Sequence, residues 1–378
     1  MLNRTVIALI AICLILVPAR LFAGSKPSQN PRAIAEQFAP VFLQEITSTA
    51  TERFDYPTRA DFDHDWIGTN DWKNAEIYPL PANVYYSILE TETHYYIHYP
   101  LFHPRDWKGG PVKTRMWDGF RHFAYIADPS RVFQDMALSH ENDLEGVMLV
   151  IEKSPAPHVV FAETLAHSKF TKFATADFIR DHLSLPQKIH LLTIDHERPV
   201  FAVESKGHGI EDPRGRKPKH VIIYRFTGTA EDPEKRTGNE VGYALISIHD
   251  TFWSLSPEQA KTFSVQHRDY SRIKVTAFED DGTFALQRIC ANPVGAHIKG
   301  RVGAHDFAHF PWAWQAISGK ELFGKHFTHD QPYPGAWFFD PARMIKKHFE
   351  LDHQFSTTYL YHPYIGCSTP QNKTIVAK

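Results

Sequence analysis

Short aromatic and β-branched runs, separated by turns, constrain the fold of this chain more than any other feature. Such residues favour strands, and the Gly, Pro, Asn and Asp clusters between the runs favour turns. The predicted strands cover residues 83–90, 93–99, 147–151, 158–163, 188–194, 199–203, 219–226, 241–248, 273–278 and 283–289. Helices are predicted only at 31–38, 175–182 and 341–349. The pattern predicts a mainly β protein, a jelly-roll-like β-sandwich with helical and loop insertions.

The first 23 residues have the composition of a secretory signal peptide. Arg4 precedes an apolar run at 6–17, and small residues follow near position 23. An uncleaved anchor is the alternative, although the run is short for a membrane span. We therefore expect export to the periplasm or the medium, with no transmembrane span in the mature chain. Residues 24–378 are predicted to form a single β-rich domain, a monomer, with an irregular C-terminal third from about residue 295.

Charge and motifs exclude several classes of function. The net charge of −2 gives no overall basic field, so nucleic acid is not an expected partner. The sequence contains no Walker loop or GxGxxG string for nucleotides, and no GxSxG or HExxH string for serine or zinc hydrolysis. With 43% hydrophobic residues, the chain is still rich enough to build a core.

The cysteines are consistent with an exported protein. Cys13 lies in the predicted signal peptide, which leaves Cys290 and Cys367 in the mature chain. An even pair in an oxidising compartment favours one disulfide between the tail and the body. Two free buried thiols are the alternative.

The string 139–146, Ser-His-Glu-Asn-Asp-Leu-Glu-Gly, carries the densest chemistry in the chain. It directly precedes a buried strand, so its side chains are expected at the mouth of that strand. His140, Asp143 and Glu145 could converge on one divalent cation, because a mixture of imidazole and carboxylate suits such an ion. Asp106, from the preceding strand region, is a further candidate ligand. The alternative is a polar strand start whose carboxylates accept hydrogen bonds from loop amides.

This string resembles the Gly-His-Arg-His-Asp-Trp-Glu heptapeptide of the necrosis-and-ethylene-inducing (NLP) toxins. His140, Asp143 and Glu145 fall on its His, Asp and Glu, which hold a divalent cation in those toxins. Asn142 and Leu144 replace its second His and its Trp. The resemblance implies docking on a lipid headgroup. The string is also similar to a segment of a vacuolar-protein-sorting-associated family, and together with residues 99–107 to an uncharacterised family of bacterial exported proteins.

Two further histidines are candidate proton carriers near the cation. His103 lies close to Asp106, and His208 lies between two glycines that can turn a loop and present its imidazole to a cleft. The alternatives are a structural loop at 102–107 and a plain exposed turn at 204–209. In the strand before His103, His94 and His98 alternate with apolar residues, so one face of that strand is expected to be polar and open to a cleft.

Asp61, Asp63 and Asp65 stand at alternate positions, as at the start of a calcium loop. Trp66 occupies the place where an EF-hand needs Gly, and no bidentate Glu closes the loop. A solvated acidic turn is therefore the preferred interpretation, with a calcium site as its alternative.

These features together predict an exported protein with a divalent-cation site at the mouth of a β-sandwich, which fits a metal-dependent hydrolase. The alternatives are a non-catalytic module that binds a glycan or lipid headgroup, and a structural envelope protein. The sequence leaves open the metal, the ligand, and whether the protein is an enzyme at all.

Overall fold

The computed structural model describes most of the chain from residue 30 onward. The described residues are 30–46, 48–107, 139–166, 169–181, 189–214, 220–265, 267–279, 282–302, 308–314, 321–322, 325–326, 335–351 and 355–366. The predicted signal peptide and Cys367, one half of the predicted disulfide, lie outside these residues. Export and the disulfide therefore stay predictions.

The described part of the chain is built mainly from strands. In chain order they are β1 (Val41–Glu45), β2 (Asn83–Thr91), β3 (His94–Asp106), β4 (His140–Glu152), β5 (His158–Ala166), β6 (Lys169–Ala174), β7 (His190–Leu191), β8 (Ile194–Asp195), β9 (Arg198–Val203), β10 (Ile210–Glu211), β11 (Val221–Phe226), β12 (Glu240–Ser247), β13 (Ser264–Val265), β14 (Lys274–Phe278), β15 (Phe284–Arg288), β16 (His297–Ile298), β17 (Glu321–Leu322), β18 (Lys325–His326) and β19 (Thr358–Tyr361).

The helices are short. They are α1 (Pro31–Gln37), α2 (Asp71–Asn74), α3 (Ala176–Asp181), α4 (Pro257–Phe263), α5 (Ala336–Phe339) and α6 (Pro341–His348). Single 3₁₀ turns lie at Glu52–Asp55, Pro233–Lys235, Phe252–Ser254 and Pro311–Ala313. The predicted helix at 31–38 is confirmed as α1, where the Asn30 side chain accepts a hydrogen bond from the Arg32 amide. Among the described helices, none has the length and hydropathy needed to span a membrane.

Most strands join one mixed sheet with the order β10-β9-β1-β11-β12-β2-β3-β4-β5-β6-β7. Strands β2 to β6 pair antiparallel in chain order. Parallel pairings of β1 with β9, and of β12 with both β11 and β2, together with the antiparallel pairing of β1 with β11, join β9, β1, β11 and β12 to this meander. The sheet curls into a half-barrel, as the twist of paired strands allows. The mainly β prediction is confirmed, whereas a sandwich of two packed sheets is not confirmed and stays a prediction.

Strands β3 and β4 form the longest ladder that positions the site. Each has 13 residues, and they pair from His94 opposite Glu152 to Asp106 opposite His140. The sequence predicted that β3 ends near residue 99, but the strand continues through Pro104. The pairing has a gap at this proline, since no ladder partner is formed between Pro104 and Asn142. A proline donates no ladder hydrogen bond, so it is tolerated where pairing is interrupted.

Aromatic side chains from the C-terminal third cover the middle of β3 and β4. Trp312 and Trp337 are fully buried. Packing is close, because a Cβ added at Gly146 of β4 would lie 2.7 Å from the Trp314 ring. The polar face predicted for β3 is not open to a cleft. His94 stacks on Phe355 with ring centroids 4.0 Å apart, and His98 packs edge-on against Trp337 at 4.8 Å.

Candidate functional site

The site lies where the β3 and β4 ladder ends. His103 pairs directly with Asp143, and Asp106 pairs directly with His140. Side chains directly opposite each other in an antiparallel ladder are close enough to interact. The register therefore brings together four of the six residues that the sequence nominated. It also starts β4 at His140, whereas the sequence predicted a strand only from residue 147.

Asn142 breaks the regular alternation of side chains at this end of β4. Its φ of 59° is left-handed, a conformation that Asn adopts more readily than most residues. His103 and Asp106 differ in parity along β3, yet the Asp106 carboxylate acts electrostatically on both His103 and His208. The interrupted pairing thus allows the two cross-strand pairs to share one cluster instead of facing opposite sides of the sheet.

His208 enters the cluster from the loop between β9 and β10. Gly207 and His208 both have positive φ, 86° and 44°, and the Gly207 amide donates to Asp106 Oδ1 at 2.9 Å. This turn directs the imidazole inward, so His208 is fully buried. The expectation that the glycines present it outward is wrong, because its hydrogen-bonding partners lie inside the protein.

The buried His208 ring has three partners. Its Nδ1 lies 2.8 Å from Asp143 Oδ2, and its Nε2 lies 3.5 Å from Asp55 Oδ1. Its ring stacks on the His103 ring with centroids 3.7 Å apart and an interplanar angle of 7°. Asp55 was not identified from the sequence. It ends a 3₁₀ turn in a segment without periodicity. Its acidic side chain is the one feature that could have identified it as a candidate.

The two stacked imidazoles differ in charge. Burial alone lowers the pKa of His208, but hydrogen bonds to Asp143 and Asp55 outweigh it and raise that pKa to about 9. Burial, helped by the charge of His208, lowers the pKa of His103 well below its ordinary value. At neutral pH a cationic ring therefore lies against a neutral one, and the neutral ring keeps a lone pair for a ligand.

His140 is held on the other side of the cluster. Its Nδ1 lies 2.8 Å from the backbone oxygen of Asn142, and its Nε2 lies 3.2 Å from Asp106 Oδ2. A carbonyl oxygen can only accept, so Nδ1 carries the proton of this hydrogen bond. Nε2 then faces a carboxylate, where either a second proton or a metal ion satisfies both groups. An Nδ1–H donated to a backbone carbonyl is the usual support of a metal-binding histidine.

His103 is the least satisfied polar group of the cluster. Neither of its ring nitrogens has a hydrogen-bond partner in the described structure, and its side chain is fully buried. Buried polar atoms almost always find a partner, and an exception often marks an ion or water. As the side chains lie, however, no three His, Cys, Asp or Glu residues within the described ranges are placed to hold a metal ion together.

Glu141 and Glu145 take different positions from the cluster. The Glu141 carboxylate is buried and accepts hydrogen bonds from the amides of Trp72, at 2.6 Å, and of Arg301 and Val302. This is the amide-binding role that the alternative interpretation gave to the acidic residues. Glu145 is half-buried and lies opposite Leu101, not opposite a member of the cluster.

Comparison with known proteins gives a weak structural likeness. No family model matches the chain, and no curated protein matches its sequence. Among solved structures, "Toxin fold for microbial attack and plant defense" has 15% identity and a TM-score of 0.30, covering 61% of this chain and 83% of the other. "NLPPya in complex with glucosamine" has 14% identity and a TM-score of 0.29, with 61% and 83% covered. "NLPPya in complex with mannosamine" has 14% identity and a TM-score of 0.28, with 63% and 81% covered.

These neighbours belong to the NLP toxin fold that the string at 139–146 resembles. At such TM-scores the likeness carries no argument about this chain. The properties of the site therefore rest on its own residues.

Proposed function

We propose that this chain is a binding module in which His103, His140, Asp106 and Asp143 hold a divalent cation. The observation that carries the proposal is the buried, neutral His103, whose two ring nitrogens lack hydrogen-bond partners in the described structure. A nitrogen lone pair aimed into a cluster of carboxylates is what a cation would satisfy. In the ion-bound state the ion replaces the His208 imidazolium as the positive partner of Asp143. Glu145 is a further proposed ligand.

Enclosure favours binding over turnover. The side chains of His103, His208 and Asp106 are fully buried, and His140 is only 2% exposed. A hydrolase needs an open metal position that water and substrate can reach. An enclosed ion instead ties the ends of β3 and β4 to the loop 204–209 and the turn at Glu52–Asp55. We propose that the surface of these ordered segments binds a glycan or a lipid headgroup, within an exported, sandwich-like β domain.

Metal content tests the ion site directly. His103→Phe keeps a planar ring against His208 but removes both nitrogens, so the purified variant should lose the metal that the wild type holds. His98→Phe is the matched control, because His98 is fully buried on the same strand but packs against aromatic rings. The control should retain its metal. Equal metal in the wild type and His103→Phe, or none in any of the three proteins, sinks the assignment.

Ligand binding tests the module. Glucosamine and mannosamine are the first probes, since two of the solved structures above contain them. Titration calorimetry should detect binding that a chelator abolishes and that His103→Phe lacks. Binding that persists unchanged in the chelator would separate the ligand surface from the ion, and absence of binding to sugars and to headgroup-bearing vesicles alike would refute the module.

A metal-dependent hydrolase is the second candidate. The 2.8 Å hydrogen bond between His208 and Asp143 is the observation in its favour, because a carboxylate-oriented imidazole is the usual proton carrier of such enzymes. Phosphate and glycosyl esters should then be turned over by the metal-loaded protein, and His208→Gln should abolish the turnover while metal content is unchanged.

A further inference from the structure

The segment between Asp61 and Asn74 holds a second group of unusual polar atoms. Asp61 is accounted for, because its carboxylate makes two short contacts with Arg59, at 2.6 and 2.7 Å. Asp63 accepts hydrogen bonds from the Asp65 amide and from Asn74 Nδ2. These contacts agree with the solvated acidic turn that the sequence favoured, although Asp63 is buried.

Asp71, the first residue of α2, does not fit a solvated turn. It is 1% exposed, and its Oδ2 has no hydrogen-bond partner among the described residues. Burial raises the pKa of Asp71 well above its ordinary value, and the nearby carboxylates of Asp63, Glu141 and Asp65 raise it further. Burial thus disfavours the charged form of Asp71, and the neighbouring carboxylates disfavour it further.

Asn142 supplies a second unpartnered oxygen beside Asp71. Its Nδ2 donates to the backbone oxygens of Gly68 and Lys299, both at 2.7 Å, which fixes the orientation of the amide. Its Oδ1 is then the atom without a partner, and Asn142 is fully buried. Asn142 also lies within hydrogen-bonding reach of the Asp71 carboxyl and partly offsets the rise in its pKa, which places the two residues together.

Asn70 adds a third such atom next to Asp71 in the chain. Its Nδ2 donates to Asp65 Oδ2 at 3.1 Å, which again leaves its Oδ1 without a hydrogen-bond partner in the described residues. Three oxygens that can only accept, one of them anionic, therefore lie unsatisfied in one part of the structure. A proton on Asp71 satisfies at most one neighbouring acceptor and a buried water two, whereas a bound cation could satisfy all three.

We propose that Asp71 and Asn142 form the core of a second cation site, which takes a hard divalent ion of the calcium class and draws further oxygen ligands from Asn70 and Asp65. Carboxylate and amide oxygens without imidazole are the ligands such an ion prefers. The proposed ligands share no side chain with the histidine and aspartate cluster, and the link between the two is the backbone oxygen of Asn142, which accepts a hydrogen bond from His140. The ion joins the loop before α2 to the start of β4.

Terbium luminescence and thermal melting in calcium test this site. Trp72 follows Asp71 directly, so terbium bound there should be sensitised by tryptophan excitation. We expect sensitised emission that calcium displaces, and a rise in melting temperature of about 5 °C at a hundredfold excess of calcium over its Kd. Asp71→Asn keeps the shape of the side chain but removes its charge, and it should lose both responses. Without calcium this variant should melt no lower than the wild type, because it buries one charge less.

Two controls separate this site from its surroundings and from the proposed function. Asp61→Asn changes a neighbouring carboxylate that Arg59 already neutralises, and it should respond to calcium like the wild type. His103→Phe, which removes a ligand of the first site, should also keep the full calcium response.

Three outcomes would overturn the proposal. The first is a calcium response that Asp71→Asn retains. The second is a wild type that does not respond to calcium and is stabilised only by acid, in which case a proton on Asp71 fills the role. The third is a response lost in Asp61→Asn as well, which indicates nonspecific binding. If Asp71→Asn does not fold, Asn142→Gly, which tolerates the positive φ, replaces it in the same comparison.

Discussion

Buried histidines occupy two regions of β3 that differ in their neighbours. His98 lies against Trp337 and Phe338, and burial lowers its pKa to about 3. Five residues further along the strand, His103 lies against His208, whose pKa two carboxylates raise to about 9. The aromatic region around His98 therefore holds a neutral imidazole, whereas the carboxylate region around His103 holds the cationic His208 beside the neutral His103. The difference teaches that the partner set, and not burial alone, decides the charge of a buried imidazole.

Asp143→Ala should cause the largest loss of stability, because it leaves the buried His208 cation with one carboxylate fewer. Removing one partner of a buried ion pair typically costs about 3–5 kcal/mol. Urea denaturation of the metal-free protein at pH 7 would measure the loss. Asp61→Ala removes a half-exposed partner of Arg59 and should cost about 1 kcal/mol or less. Similar losses in the two variants would contradict the buried ion pair assigned to Asp143 and His208.

Acid should destabilise the protein through the aromatic region. The folded pKa of His98, about 3, is lower than that of an unfolded histidine, so the unfolded chain binds more protons as pH falls. His98 therefore contributes stability that is complete above about pH 6.5 and is lost as pH falls toward its folded pKa of about 3, with on the order of 3 kcal/mol lost by pH 4.

His98→Phe isolates this effect. The variant should show a shallower decline of unfolding free energy between about pH 6.5 and pH 4. A decline as steep as in the wild type would show that other groups cause the acid sensitivity, with His94 and His362, whose pKa values burial lowers to about 4, the next to test.

Alkali should destabilise the metal-free protein through the carboxylate region. The folded pKa of His208, about 9, exceeds its unfolded value, so its contribution is complete below about pH 6.5 and is lost as pH rises through 9. The loss should be about 3 kcal/mol. His208→Gln should remove this slope in denaturation curves between pH 7 and pH 10, whereas His98→Phe should leave it unchanged. If His98→Phe removed the slope and His208→Gln left it unchanged, the charges assigned to His98 and His208 would have to be exchanged.

The smallest effect should come from His94→Phe at pH 7. His94 stacks on Phe355, and burial lowers its pKa to about 4, so it is already neutral. A phenyl ring keeps the stacking and loses only the hydrogen bond to Thr93, at a cost of about 1 kcal/mol or less. A larger loss of unfolding free energy would mean that His94 carries charge in the folded protein.

The sequence located most of the proposed site but not its geometry. Residues 103, 106, 140, 143 and 208 were all nominated, and strand pairing with one loop turn brings them together. Asp55 was missed, because nothing local distinguishes an aspartate in an irregular turn. The sequence assigned Glu141 no role of its own, and only the fold shows that its carboxylate accepts hydrogen bonds from the amides of Trp72 and residues 301–302.

Local pattern by itself determined the strand-rich class and several helix positions, since these depend on side-chain periodicity and capping within a few residues. The tertiary structure alone decided that β3 continues past Pro104, that its histidines are buried on both faces, and that Gly207 turns His208 inward. Each of these depends on contacts between residues far apart in the chain. The charge of an imidazole follows from those contacts as well, because burial and neighbouring carboxylates set its pKa.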